Sequence, residues 1–349
     1  MSDEKSAVAS ATRAYALRDR LTNPVRLHAE SLYYDIATGE REKECAILSE
    51  SLRRFPNDFT SMTNLKACLL AIGQLDRALA ETHDAVRLYP SPFSYEQEIL
   101  VALLSDHFGE AEAAFAQTDA LKFDSRGLRY DRGRLTFLLH DDPKMREQWK
   151  WAEGKPDADF RMLYQRAKTE AYFGHYRSFR RLIARARELA FEENESLNGT
   201  GFSGDAALTE AEAGNFARAL QLSEEGLRGP QYRGTRAVLA LSLARAGQTR
   251  RAQEFADSLN HDYPLRTEIQ QFALPTIQAA IKIRDDDPAE GVRILERTRK
   301  YDFTYMMWVQ LLRRRPLRMT SGIHPLGILV RRPSNPGLNG VYHFPQKCR

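Results

Sequence analysis

A chain of 349 residues with 42% apolar and 28% charged side chains can bury a core over most of its length, so composition excludes a wholly disordered protein. No apolar run approaches the roughly 18 residues that would cross a bilayer. The formal charge of +4 divides unevenly: residues 303–349 hold eight Lys and Arg and no acid, which leaves residues 1–302 at −4, and a net-negative body argues against a nucleic-acid partner.

The first segment, residues 1–24, opens on MSDEKSAVAS, with acids and a lysine where a secretory signal would carry a basic start and an apolar core. It reads as helical in part, and the expected address is the cytoplasm. From residue 25 a ruler begins. ATGEREKECAILSESLRRFP (37–56) and AIGQLDRALAETHDAVRLYP (71–90) share one layout: Gly39 and Gly73 stand 34 apart, and so do Pro56 and Pro90, each preceded by an aromatic, Phe55 or Tyr89. Gly247 and Tyr263-Pro264 repeat the same interval of 17 residues. The physics is that of a helix pair: glycine supplies the left-handed residue that closes one helix, an amphipathic stretch forms the second, and proline marks the approach to the next. Ala78, Ala219 and Ala252, five residues after Gly73, Gly214 and Gly247, let two helices approach closely. Glu44 and Phe179 stand at that place after Gly39 and Gly174, so those two units must pack differently. Helix pairs are predicted over 25–58, 59–92, 92–124, 125–156, 157–192, 200–232, 233–264 and 267–300.

These units resemble the tetratricopeptide repeat. In 59–92 the family pattern is met by Met62, Leu65, Leu69, Gly73, Leu75, Ala78, Ala85 and Pro90, with Lys66 departing where a small residue is preferred. In 233–264 it is met by Leu239, Ala240, Leu243, Gly247, Ala252, Ala256 and Pro264. Phrases such as WKWAEGKP, KTEAYFGHY and ALPTIQAAIKIRDDDPAEGVRILE further resemble the bacterial repeat region that follows the kinase domain in acidobacterial serine/threonine kinases, while every kinase signature is absent. The resemblance implies an all-α, right-handed α-solenoid of about eight tetratricopeptide-like antiparallel helix pairs over 25–302, stacked in a line. It implies no catalysis and no cofactor.

Gly199-x-Gly201-x-x-Gly204 has the spacing of a dinucleotide loop, but a helix-like acidic stretch precedes it and no strand feeds it. It is expected to be an inter-helix linker or a frayed first turn. His83-Asp84, His140-Asp141 and His261-Asp262 are adjacent residues that point about 100° apart on a helix, so surface or capping roles are expected rather than dyads. DDDP (285–288) suits a helix start better than a calcium loop. Arg177, Arg181 and Arg185 form one basic stripe with Arg180 and Arg187 beside it, read as a solvated face. The three cysteines, Cys45, Cys68 and Cys348, form no metal or redox motif, so neither a disulfide framework nor a zinc site is expected and two of them read as core thiols.

The resemblance places the binding surface on the concave side, lined by the first helix of each pair. Carried across, the groove positions are Arg26 and Tyr33, then Thr63, Ala67 and Leu70, then Arg161, Tyr164, Lys168 and Tyr172. The last set mixes cations with amphipathic rings on one face, which suits a peptide carboxylate with an apolar neighbour. Residues 303–349 abandon the ruler, with five prolines and no acid; a basic arm for anionic partners and a shifted reading frame are the two readings. The function expected is a scaffold that binds a protein or peptide, with a part in a kinase signalling system and self-association through the last repeat. A helical-toroid enzyme with a central cavity and a helical-repeat RNA binder are the rival classes.

Overall fold

The computed structural model describes residues 2–155 and 158–301. Both readings of the basic tail therefore concern residues outside those described. Among those described there is helix and no strand. α1 (Ser2–Ala16) leads into eight antiparallel pairs: α2 (Asn23–Leu32) with α3 (Arg41–Arg54), α4 (Phe59–Ala71) with α5 (Leu75–Leu88), α6 (Pro92–Leu104) with α7 (Phe108–Ala120), and α8 (Arg126–Leu138) with α9 (Asp142–Ala152). Next come α10 (Asp159–Tyr172) with α11 (Tyr176–Glu192), α12 (Ser196–Glu212) with α13 (Phe216–Arg228), α14 (Arg233–Arg245) with α15 (Thr249–Asp262), and α16 (Leu274–Arg284) with α17 (Pro288–Glu296). A π-helical stretch extends α2 over Tyr33–Thr38, and another precedes α16 over Ile269–Ala273.

The ruler is a backbone fact. Between the two helices of each pair one residue takes a left-handed conformation: Gly39, Gly73, Asp106, His140, Gly174, Gly214, Gly247 and Asp286, with φ between 57° and 87°. Ala78, Ala219 and Ala252 are fully enclosed, as the close approach of paired helices requires. Phe179 takes the small-residue place in its pair and fills the core with its ring. Lys66, the departure in the second pair, is buried, bonds through its ammonium to Gln97, and has its pKa pushed down to about 8 by the loss of solvent.

Three expectations are corrected. The glycines of 198–205 do not form a linker: they lie inside the continuous helix α12, where Gly199 faces the ring of Phe191 so closely that a Cβ would come within 2.9 Å of it. Gly199 is a packing glycine, whereas a Cβ at Gly201 or Gly204 would meet only ordinary contacts at 3.6 Å or more. Cys45 and Cys68 are not free thiols but a buried disulfide between α3 and α4, on helices whose Cα atoms approach to 5.7 Å. The array also does not run in an open line. Each stacked pair rotates a little against the last, and after eight pairs the coil has returned on itself. The Thr267 amide donates to the Gly39 carbonyl at 2.9 Å, and Arg266 donates to the Ile36 carbonyl at 2.9 Å. Arg41 reaches Glu268 at 2.6 Å. The turn of the first pair thus rests on the start of the eighth.

Apolar contact crosses this junction too. Buried residues of α3 to α9 and of α14 to α17 belong to one cluster, whereas most of the buried apolar residues of α10 to α13 form another. The closing contact is therefore packing as well as charge.

Candidate protein-interaction groove

Which helices face inward follows from their neighbours. First helices of successive pairs pack on one another at α6–α8, α12–α14 and α14–α16, and no comparable contact joins the second helices. Helices on the inside of a curve lie closer together, so α2, α4, α6, α8, α10, α12, α14 and α16 line the concave side.

The nine predicted groove residues fall into three situations. In the first pair, Tyr33 is stacked on Tyr15 of α1 at a ring distance of 4.1 Å, and Arg26 is half-buried with its Nε enclosed and unpaired. The first helix therefore already covers that part of the face. In the second pair, Ala67 is exposed, the Thr63 hydroxyl donates to the Phe59 and Thr60 carbonyls of its own helix, and Leu70 lies in the core at 5% exposure. No polar patch forms there. In the fifth pair, Arg161 and Tyr164 line a cavity of about 550 Å³, while Lys168 is half-buried outside its wall and Tyr172 meets Phe137 and Phe173 edge-on at 5.3 and 5.2 Å.

The cavity is walled by three inner helices and the turns between them. α8 contributes Arg126, Gly127, Tyr130 and Arg134, α10 contributes Arg161, Met162 and Tyr164, and α12 contributes Phe202; Trp151, Ala158 and Glu195 complete the lining. Tyr164 stacks on Phe202 at 4.3 Å and its hydroxyl donates to Asp205 Oδ2 at 2.5 Å. Burial, reinforced by the Asp205 charge, holds that phenol far above its ordinary pKa, so it remains a donor. Arg134 donates to Asp131 Oδ1 at 2.8 Å and lies over the Tyr130 ring at 4.4 Å, with its Nε enclosed and unpaired. Burial pushes the Asp131 carboxyl up to about 6 against the pull of Arg134. Arg161 is exposed and leans on Phe160 at 4.9 Å. The result is a recess with ring faces for walls, the exposed side chains of Arg126 and Arg161 and the more enclosed Arg134 among its lining, able to hold an apolar side chain beside an anionic group.

Gly127, Tyr130 and Arg134 were missed by the sequence reading, yet each stands 34 residues before Arg161, Tyr164 and Lys168. The ruler that located one set could have located the other.

Elsewhere the expected minor roles hold. Asp141 and Asp287 cap α9 and α17 by accepting from the Lys144 and Glu290 amides, and His140 supplies a left-handed turn. Arg177 and Arg181 are exposed, and Arg185 pairs with Glu188 and Glu192. The second line corrects the expectation of a solvated face, because it is engaged internally: Arg180 with Glu210 through two bonds of 2.7 and 2.9 Å and Arg187 with Glu225 at 2.8 Å. Among the described residues no helix is long and apolar enough to cross a membrane, and no group of three or more His, Cys, Asp and Glu is arranged to hold a metal ion.

No protein-family model and no curated protein matches this sequence. Among solved structures the chain is similar to yeast Tom70, with a TM-score of 0.52 and 15% identity over 89% of this chain and 71% of that one. It is also similar, more loosely, to human IFIT1, solved as a dimer with PPP-AAAA (TM-score 0.45, 13% identity, 83% and 77% coverage), and to the TPR domain of P58(IPK) (0.23, 11%, 90% and 97%). At these identities the likeness to Tom70 is one of fold. The chain is an all-α helical-repeat protein.

Proposed function

We propose that this chain binds a protein or peptide partner in the concave groove, centred on the cavity between α8, α10 and α12, and that it does so without catalysis. The observation that carries the reading is the conjunction, in one recess, of the Tyr130, Tyr164 and Phe202 rings with Arg134 and Arg161. Ring faces supply affinity, and guanidinium groups orient an acidic or C-terminal carboxylate feature of the partner. The likeness to acidobacterial kinase repeats supports a sensory or recruiting role in bacterial, cytoplasmic signalling.

A pull-down with the full chain, compared with an Arg126→Ala, Arg161→Ala version that removes two exposed cations of the cavity lining, tests the reading. Recovery of one partner by the parent and its loss by the variant is the expected result. Equal recovery removes the two cations from the site, and no saturable partner in either arm removes the scaffold reading.

The return of the coil on itself favours one rival, the toroidal enzyme, because Asp35, Glu44 and Glu268 converge there. All three, however, spend an oxygen on Arg41, at 2.5, 2.6 and 2.6 Å, so the cluster is engaged in the contact between the ends of the coil, although one guanidinium offsets only one of the three charges.

A further inference from the structure

The contact between the first and eighth pairs differs in kind from the contacts between neighbours. Neighbouring pairs are joined by long helix faces; the ends are joined by turns, a few charged side chains and a shared apolar cluster. Arg41 is the hub, bonded to Glu268 across the junction and to Asp35 and Glu44 on its own side. Glu42 accepts from Thr267 at 3.2 Å and from the Tyr301 hydroxyl at 2.6 Å. At the far end of α1, Glu4 meets Arg233 at 3.4 Å.

This joint is imperfectly satisfied. Arg266 Nη1 and Glu268 Oε2 are both enclosed and without a partner. The Arg266 side chain is pressed over Gly39, whose missing Cβ would stand 2.6 Å from it. Burial and the nearby Arg233 charge push the Arg266 guanidinium below its ordinary range. Separation of the two ends would hydrate both orphaned atoms, so the desolvation cost of closure is concentrated here. The backbone marks the same place: among the described residues the two π-helical stretches, Tyr33–Thr38 and Ile269–Ala273, lie one on each side of this junction.

We propose that the junction is a latch, a joint that opens and recloses while the eight helix pairs stay folded, and that it sets how tightly the coil is wound around its concave face. Any partner that touches the inner faces of both end pairs then binds one winding better than the other, and its binding is linked to the latch. Opening exposes the turn at Gly39 and the start of the eighth pair, and leaves α2–α17 contacts between neighbours unchanged.

Two measurements on the full chain decide this. In native-state hydrogen exchange, the amide of Thr267 should exchange in an opening separate from, and more frequent than, that of amides inside α14 and α16. Exchange of Thr267 only with global unfolding would overturn the latch. In the second, donor and acceptor dyes are attached at Arg20→Cys and Glu296→Cys, both exposed positions, and an Arg266→Ala, Glu268→Ala version is compared with the parent. The variant should lose the short-distance population while its helical circular dichroism stays at the parent value. An unchanged distance shows that these side chains do not hold the ends, and a lost helical signal shows that the joint cannot open apart from the fold; either result ends the proposal.

Discussion

Glu44 occupies a position that an alanine takes in four other pairs, and its chemistry is altered by its surroundings. Its carboxyl is nearly enclosed, beside Arg41, Asp35 and Glu268, and burial pushes its pKa up to about 7 despite the Arg41 guanidinium. A carboxyl whose folded value exceeds its unfolded value of about 4.3 favours the folded state fully below that unfolded value, and the advantage is lost as pH rises through about 7. Glu44→Gln should therefore match the parent near pH 4 and gain on it by on the order of 1–3 kcal/mol between pH 5 and 8, measured by urea unfolding at each pH. A pH-independent difference would show that Glu44 is ionised throughout. Tyr164 makes a second residue-scale case. Tyr164→Phe keeps the stack on Phe202 but leaves the Asp205 carboxylate without its phenolic donor, at a cost of about 1–2 kcal/mol in the same assay. Tyr164→Ala removes the ring as well and should cost about 3–5 kcal/mol.

At the scale of the element, the unit is a helix, a single left-handed residue and a second helix. Where that residue is glycine the turn was legible, and Gly39, Gly73 and Gly247 carried the reading. Asp106, His140 and Asp286 do the same work with a side chain, which costs about 1–2 kcal/mol in a left-handed conformation and breaks no rule visible in one sequence. His140→Gly should accordingly stabilise the chain by about 0.5–1 kcal/mol after the entropy of the added glycine is offset, read as a raised urea midpoint with unchanged slope. Gly39→Ala should do the opposite, because the new methyl would sit both in a left-handed turn and against Arg266. The spacing of the eight turn residues is 33 or 34 except after Gly174 and Gly247, where it grows to 40 and 39. The 17-residue helices α11 and α12 account for the first of these, and they explain why a strict period misread 198–205 as a linker. The cavity was half-legible: Arg161 and Tyr164 were found, Tyr130 and Arg134 lay one period away, and Trp151 and Phe202 follow no groove register.

For the whole molecule, the return of the coil was not legible, because Arg41 and Glu268 are 227 residues apart and no periodic pattern links them. Its trace in the sequence was a departure from the ruler, Glu44 in a small-residue position. Closure also changes what the terminal pair offers. The start of the eighth pair is engaged by the first pair of the same chain, so self-association through it has to compete with that contact. The central claim is that the pairs wind into one coil whose first and last members touch. Small-angle X-ray scattering from the full chain tests it most directly: the distance distribution should show a single compact body that lengthens in the Arg266→Ala, Glu268→Ala version. A parent profile that is already that of an extended rod, unchanged by the substitutions, would contradict it.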